Sequence, residues 1–226
     1  MILDETTLAQ EIDISYEKST IGKVFKVFEA IRHAKDKIIY NKNYPVFLSF
    51  DWGIGDPTAC VLLQDFGGQV KIFDHFEMQD STIDQIFNHV FTVVDKHKIN
   101  RSMIGGWYGD PDARNRNIVT GSSIASFIKD KYGIKLRYKL PNEIRPRILS
   151  VRSLLEQDRL LVDKDLSLLI ECFENYRYPS KESGDNEKPL HNWASHSMSA
   201  IEYYVVFEHG MNQFKNFFLD IDKPKY

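Results

Sequence analysis

The pattern of apolar and polar residues predicts three consecutive β-strands in the first half of the chain. An apolar run at 45–50 ends at Asp51, and a second apolar run spans 58–64. The residues Asp-Phe-Gly-Gly at 65–68 favour a hairpin turn that leads into a third strand at 69–76. Strands connected by such short turns form an antiparallel meander.

Helical and strand patterns alternate after this meander. Apolar residues at helical spacing predict a helix over 82–98, with Ser81 as its N-cap. A fourth strand is predicted at 103–108, a polar helix at 112–130 and a fifth strand at 134–140. Strands separated by helices are typical of parallel pairing.

The remaining third of the chain is mainly helical. Helices are predicted at 144–157, 166–176 and 192–207, with a short edge strand at 159–162. The whole order predicts an α/β domain on a mixed sheet of five to seven strands, an antiparallel meander plus parallel strands, flanked by helices. This architecture is typical of the ribonuclease-H-like fold.

Composition narrows the class of protein. The 226 residues are 42% hydrophobic with a net charge of −3. These values suit one sizeable domain and argue against a protein that coats nucleic acid through bulk positive charge. The two cysteines, Cys60 and Cys172, are too few for a cysteine-based zinc site. Because there is no 18-residue apolar run and no signal-like N-terminus, we expect a soluble, intracellular protein without a membrane partner.

Two aspartates each follow a predicted strand. Asp51 ends the first strand and Asp110 follows the fourth. Either residue alone is also explained as a turn or helix-capping residue. On neighbouring strands of one sheet, however, the two carboxylates would lie side by side, repel each other and favour a divalent cation. Oxygen ligands favour Mg²⁺ or Mn²⁺ over zinc.

Two histidines lie near the start of the last predicted helix. His191 and His196 are five positions apart, a poor spacing for one helix face, and no His-Glu-x-x-His pattern occurs. A zinc site is therefore not expected. His196 is interpreted either as a packed helix residue or as a ligand.

Several short motifs resemble the nuclease domain of tailed-bacteriophage terminase large subunits, over about residues 45–207. They are Phe-Asp-Trp-Gly at 50–53, Asp-Pro-Thr-Ala at 56–59, Tyr-Gly-Asp-Pro at 108–111 and Asn-Trp-Ala-Ser-His at 192–196, with Ala200 and Tyr203. The segment before them resembles the end of the ATPase domain that precedes this nuclease. The resemblance therefore implies an N-terminal extension or linker at 1–44 and a nuclease domain at 45–226.

The resemblance implies a metal-dependent endonuclease that cuts double-stranded concatemeric viral DNA during genome packaging. Asp51 would bridge two Mg²⁺ or Mn²⁺ ions, Asp110 would hold one of them, and His196 would take part in catalysis. The implied partners are double-stranded DNA, the terminase small subunit and the portal protein, and the isolated domain is expected to be monomeric. The expected location is the host cell cytoplasm, at the viral procapsid.

One position departs from the family's pattern. The last helix of that family carries Ser-His-x-x-Asp-Ala-x-Arg-Tyr, which aligns the third metal-binding acid with Ser199 and the arginine with Glu202. Three explanations are open: Ser199 is a natural or engineered loss of the ligand, His196 supplies a ligand nitrogen, or Glu202 reaches the site. Since a hydroxyl binds Mg²⁺ less well than a carboxylate, the second ion is expected to bind weakly.

A basic segment follows the fourth strand. Lys135, Arg137 and Lys139 alternate and would share one face of the fifth strand. These three residues and four arginines elsewhere are interpreted either as solvated surface residues or as contacts to DNA phosphates. The other arginines are Arg114, Arg116, Arg145 and Arg147.

Two further functions fit the same residues. Ser199 favours a cleavage-deficient ribonuclease-H-like module that clamps DNA or docks a partner. A junction resolvase or transposase-type nuclease would use similar acids on similar strands, and a preference for branched DNA would distinguish it.

Overall fold

Six strands form one sheet in the computed structural model, which describes residues 22–53, 55–115, 122–138, 143–179 and 188–210. Their order across the sheet is β5-β4-β1-β2-β3-β6. The strands are β1 (Val46–Asp51), β2 (Thr58–Asp65), β3 (Val70–Met78), β4 (Ile104–Gly109), β5 (Leu136–Arg137) and β6 (Leu160–Val162).

The sheet is mixed. β1 pairs antiparallel with β2, and β2 with β3. β1 pairs parallel with β4, β4 with β5, and β3 with β6. The predicted combination of an antiparallel meander and parallel strands is therefore confirmed, with six strands and β6 at an edge.

Helices cover both faces of this sheet. They are α1 (Ala30–His33), α2 (Ile83–Lys96), α3 (Ile124–Tyr132), α4 (Ile144–Glu156), α5 (Ser167–Asn175) and α6 (Ser195–Val205), which runs into a π-helical turn at Val206–Gly210. Within the described ranges, no helix combines the length and the apolar character needed to cross a lipid bilayer.

Alternation along the strands divides the core between the two faces. Leu48 and Phe50 of β1 pack against Ile86 and Val90 of α2. Val61 of β2 points to the opposite face, where α4, α5 and α6 supply the apolar partners. Because successive side chains of a strand point to opposite faces, each central strand serves both layers.

Several element boundaries differ from the prediction. The N-cap of α2 is Thr82, not Ser81, because Thr82 and Gln85 form a capping box in which each side chain accepts the other's backbone N–H. The predicted polar helix at 112–130 is wrong in its first part, where a 3₁₀ turn at Pro111–Arg114 precedes α3. In the described part of the fifth strand, only Leu136–Arg137 pairs with β4.

The described part of the predicted N-terminal extension packs on the domain. Phe25 and Phe28 are buried and contact Phe173 of α5, with ring centroids 5.7 and 4.3 Å apart. The backbone N–H of Val24 donates to the carbonyl of Tyr176. Residues from 22 onward thus complete the core, and the domain boundary at 44 stays a prediction.

Candidate metal centre

The structure brings the two predicted aspartates together. In the parallel register of β1 and β4, Phe50 pairs with Gly109, so the next residue of each strand emerges at the same edge of the sheet. Asp51 and Asp110 line one cleft of about 430 Å³. The other charged and polar residues of this cleft are Asp56, Asp112, Arg147, His191, His196 and Tyr203.

Asp110 is buried and held by backbone N–H groups. Its Oδ2 accepts from the N–H of Trp52 at 3.2 Å, and its Oδ1 accepts from the N–H of Ala113 at 2.9 Å. Asp110 therefore is a cap of the 3₁₀ turn and also a cleft residue. Burial, together with the nearby charge of Asp51, raises the pKa of Asp110 to about 6.

Asp51 is held by side chains of α6. His196 Nδ1 lies 3.0 Å from Asp51 Oδ2, and the Tyr203 hydroxyl donates to Oδ1 at 3.1 Å. The hydrogen bond to Asp51 raises the pKa of His196, and burial raises the pKa of Tyr203. The helix thus fixes the orientation of one carboxylate, while backbone N–H groups just after β1 and in the 3₁₀ turn fix the other.

Trp52 packs between the two strand ends. Its indole stacks on Phe50, with ring centroids 4.6 Å apart. A Cβ atom at Gly109 would lie 2.8 Å from the indole Nε1. Because Gly109 has no side chain, the indole of Trp52 can occupy this space. In this position the backbone N–H of Trp52 donates to Asp110.

Ser199 and Glu202 lie in different surroundings. Ser199 is half-buried, and helical spacing places it on the face of α6 that carries His196 and Tyr203. Glu202 is fully buried, with its carboxylate 3.8 Å from Arg147 Nε on α4, and burial raises the pKa of Glu202 to about 8. Because Glu202 faces Arg147 and is not part of the cleft lining, the geometry does not support it as a metal ligand.

Sequence reasoning missed two residues of the cleft, Asp56 and His191. One ligand atom from each of Asp56, His191 and His196 lies within 4.8 Å of the others. Helix spacing does not apply to His191, because α6 begins at Ser195 and His191 therefore precedes the helix. The Asp-Pro turn at 56–57 resembled a family motif but carried no strand-end pattern.

The predicted basic residues of the fifth strand lie beside a separate cavity. Lys135 and Arg137 are exposed and line a cavity of about 500 Å³. Arg137 Nη1 donates to the Tyr108 hydroxyl at 2.7 Å and to Glu208 Oε1 at 3.0 Å. Part of the positive charge at this edge is therefore already balanced.

The remaining predicted DNA contacts divide by exposure. Arg114 and Arg145 are exposed. Arg147 is buried instead, with its guanidinium carbon 4.8 Å from the centre of the Tyr203 ring, so it is a residue of the cleft wall and not an exposed phosphate contact. Lys139 and Arg116 lie outside the described residues.

A mixed sheet with two helical layers and paired carboxylates at the ends of neighbouring parallel strands has the ribonuclease-H-like architecture. No protein-family model matches the sequence. The chain is 24% identical over 202 residues to the large terminase subunit of Escherichia phage T5, which covers 81% of this chain and 41% of that protein.

Solved structures of terminases share the fold. The large terminase of a thermophilic bacteriophage has a TM-score of 0.68 at 19% identity, covering 83% of this chain and 45% of that one. The P22 large terminase nuclease domain has a TM-score of 0.64 at 16% identity, covering 86% of this chain and 97% of that one. The SPP1 large terminase nuclease domain with bound Mn has a TM-score of 0.52 at 16% identity, covering 79% of this chain and 93% of that one.

These comparisons show that the chain resembles terminase large subunits in sequence and has the ribonuclease-H-like fold of terminase nuclease domains, as its motifs predicted. The chain spans less than half the length of the phage T5 relative that it matches.

Proposed function

We propose that this chain is the nuclease domain of a terminase large subunit, a metal-dependent endonuclease that cuts double-stranded concatemeric viral DNA during genome packaging. The observation that carries the proposal is the pairing of Asp51 and Asp110 in one cleft, at the ends of adjacent parallel strands. The similarity to terminases supports it.

The residues of the cleft fit a divalent cation. Burial, and then the neighbouring charge of Asp51, raises the pKa of Asp110, and a bound cation relieves this cost of ionising the carboxyl. Asp51 and Asp110 would hold Mg²⁺ or Mn²⁺, and the SPP1 nuclease domain has Mn bound. When bound, a metal pair activates the attacking water and stabilises the leaving 3′ oxygen of a phosphodiester.

The protein's own groups prepare this site. His196 and Tyr203 orient Asp51, and the N–H groups of Trp52 and Ala113 orient Asp110. These hydrogen bonds hold the carboxylates in place before an ion or a substrate arrives, which is the arrangement that catalysis by positioning requires.

Arg147 adds positive charge to the cleft wall. It lies 3.8 Å from Glu202, whose pKa of about 8 keeps that carboxyl mainly protonated at neutral pH. Burial therefore opposes the ionisation of Glu202 that would neutralise Arg147. A cationic group at this position suits a cleft that receives a DNA phosphate.

In the proposed setting the domain contacts double-stranded DNA through exposed basic residues, including Lys135, Arg137, Arg114 and Arg145. The large subunit would act with the terminase small subunit and the portal protein, at the procapsid in the host cell cytoplasm. The isolated domain would be monomeric, which size-exclusion chromatography with light scattering tests.

Ser199 favours a second candidate function, a cleavage-deficient module that clamps DNA or docks a partner. A serine stands on the face of α6 that carries His196 and Tyr203, at the position where the pattern of the resembled family has an acid. Incubation with supercoiled plasmid in Mn²⁺ separates the two. We expect nicked and linear products in Mn²⁺, and none in a parallel reaction that contains EDTA. Intact plasmid, together with a shift of DNA mobility in a gel, would support the docking module instead.

A further inference from the structure

A second group of possible ligands lies in the same cleft as the aspartate pair. Asp56, His191 and His196 bring one oxygen and two imidazole nitrogens within 4.8 Å of one another. Opposite ligands of one ion at ~2.1 Å are ~4.2 Å apart. The side chains of His191 and Asp56 are 70% and 55% exposed, so a small rotation closes the difference.

The hydrogen bond of His196 directs its free nitrogen away from Asp51. His196 Nδ1 lies 3.0 Å from the Asp51 carboxylate, which can only accept when ionised. Nδ1 therefore carries the proton, and Nε2 of the neutral ring keeps its lone pair. A metal-binding histidine commonly donates its other N–H to a carboxylate in this way.

The same arrangement occurs at His191. The Ser195 hydroxyl donates to the Asn192 carbonyl at 2.6 Å, so its oxygen accepts from His191 Nδ1 at 3.2 Å. Nε2 of neutral His191 then has a lone pair as well, and it lies 3.2 Å from Asp56 Oδ2. Two acceptor atoms at this distance need a cation between them, either a proton on the ring or a metal ion.

We infer that Asp56, His191 and His196 form a second cation subsite, which takes a divalent first-row transition metal ion and discriminates against Mg²⁺. Imidazole nitrogens bind transition metals well, whereas Mg²⁺ prefers oxygen ligands. Ser199 offers no carboxylate, and Asp56, His191 and His196 supply other ligand atoms within the cleft. The role of this ion rests on the proposed function, but its binding is measured without DNA.

Titration calorimetry of the full chain with Mn²⁺ and with Mg²⁺ tests the subsite. We expect two Mn²⁺ ions but one Mg²⁺ ion per wild-type chain. In His191→Ala the Mn²⁺ affinity of one site falls more than ~10-fold, on the scale seen when metal sites lose supporting groups. His89→Ala, which removes an exposed histidine outside the cleft, is the matched control and retains both Mn²⁺ ions.

Pulsed electron paramagnetic resonance identifies the ligands directly. We expect imidazole ¹⁴N couplings to bound Mn²⁺ in the wild type, weaker couplings in His191→Ala, and retained couplings with lower affinity in Asp56→Asn. Circular dichroism verifies that each variant is folded. Two undiminished Mn²⁺ sites in His191→Ala, or wild-type Mn²⁺ without ¹⁴N coupling, would overturn the inference.

Plasmid cleavage separates this inference from the proposed function. If Mn²⁺ is bound by imidazole but the protein leaves plasmid intact, the proposed nuclease function is contradicted and the inferred cation subsite is supported. Equal cleavage in Mg²⁺ and Mn²⁺, with no ¹⁴N coupling, would keep the nuclease and refute the subsite.

Discussion

The cleft at the ends of β1 and β4 and the basic cavity beside β5 are built in opposite ways. In the cleft, Asp51 and Asp110 are each held by two hydrogen bonds from the fold. Beside β5, Lys135 and Arg137 are exposed, and Arg137 is paired with Glu208. The first region fixes positions, whereas the second presents charge to solvent.

This difference separates two properties that mutation can change independently. Fixed carboxylates serve a reaction whose rate depends on geometry. Exposed cations serve contacts to a phosphate backbone, where the number of charges matters more than their exact placement. Changes in the cleft should therefore act on turnover, and changes beside β5 should act on affinity and its dependence on salt.

The largest effect is expected in the cleft. Asp51→Asn and Asp110→Asn should each lower Mn²⁺-supported plasmid cleavage by more than ~100-fold, since even the supporting partners of metal ligands are worth ~10–100-fold. The initial rate of nicking measures this. Asp95→Asn, an exposed aspartate on α2, should cleave at the wild-type rate. Wild-type cleavage by either cleft variant would place the site elsewhere.

Restoring an acid on α6 should act in the other direction. Ser199→Asp adds a carboxylate to the face that carries His196 and Tyr203, and we expect cleavage in Mg²⁺ to rise about tenfold, the lower end of what metal-site groups contribute. Ser199→Ala is the control and should change the rate little. An unchanged rate in Ser199→Asp would mean that the cleft already holds its ions without this carboxylate.

Beside β5, the double variant Lys135→Ala/Arg137→Ala should weaken DNA binding but leave the cleavage rate at saturating DNA unchanged. Each phosphate contact contributes ~0.9 to the slope of log affinity against log salt. Because Arg137 is already paired with Glu208, we expect the magnitude of this slope to be smaller by about one to two in the double variant than in the wild type. Fluorescence anisotropy at several salt concentrations measures the slope.

The control for this variant is Lys35→Ala/Lys164→Ala, which removes two exposed lysines near the β6 edge. Its salt slope should match the wild type. If both double variants give the same slope as the wild type, β5 does not contact DNA.

The smallest expected effect is on stability, and it distinguishes the buried pair Arg147–Glu202 from the exposed pair Arg137–Glu208. Burial raises the pKa of Glu202 from its usual value of 4.5 to about 8. A raised folded-state pKa means that its stabilising contribution is complete below pH 4.5 and is lost as the pH rises through 8. Glu202→Gln should therefore raise Tm by a few degrees at pH 8.5, on the scale of ~2–4 °C per kcal/mol, and much less at pH 5.

The exposed pair supplies the control for that measurement. Glu208→Gln should shift Tm by similar, small amounts at both pH values, because exposed ion pairs contribute little to stability. Thermal melts followed by circular dichroism give the four differences. A pH-independent Tm difference for Glu202→Gln would show that Glu202 is already ionised in the folded protein at pH 5.

The sequence predicted the sheet and the aspartate pair because both depend on local signals. Apolar runs with short turns mark β1 to β3, and a polar residue directly after such a run lies at the end of a strand, as Asp51 does. The contact of Asp56 with His191 joins loops 135 positions apart, and no periodicity reports it. The burial of Glu202 depends on the packing of α4 against α6, which a helical pattern does not specify.

Gly109 has no functional group, yet it lies against the indole of Trp52, whose backbone N–H binds Asp110. An alanine there would push the indole of Trp52, and with it the peptide N–H that binds Asp110. The expected result is a folded domain with misplaced carboxylates, inactive without the loss of any polar atom. A screen for essential residues limited to acids, bases and nucleophiles would overlook this position, where we expect one added methyl group to lower activity.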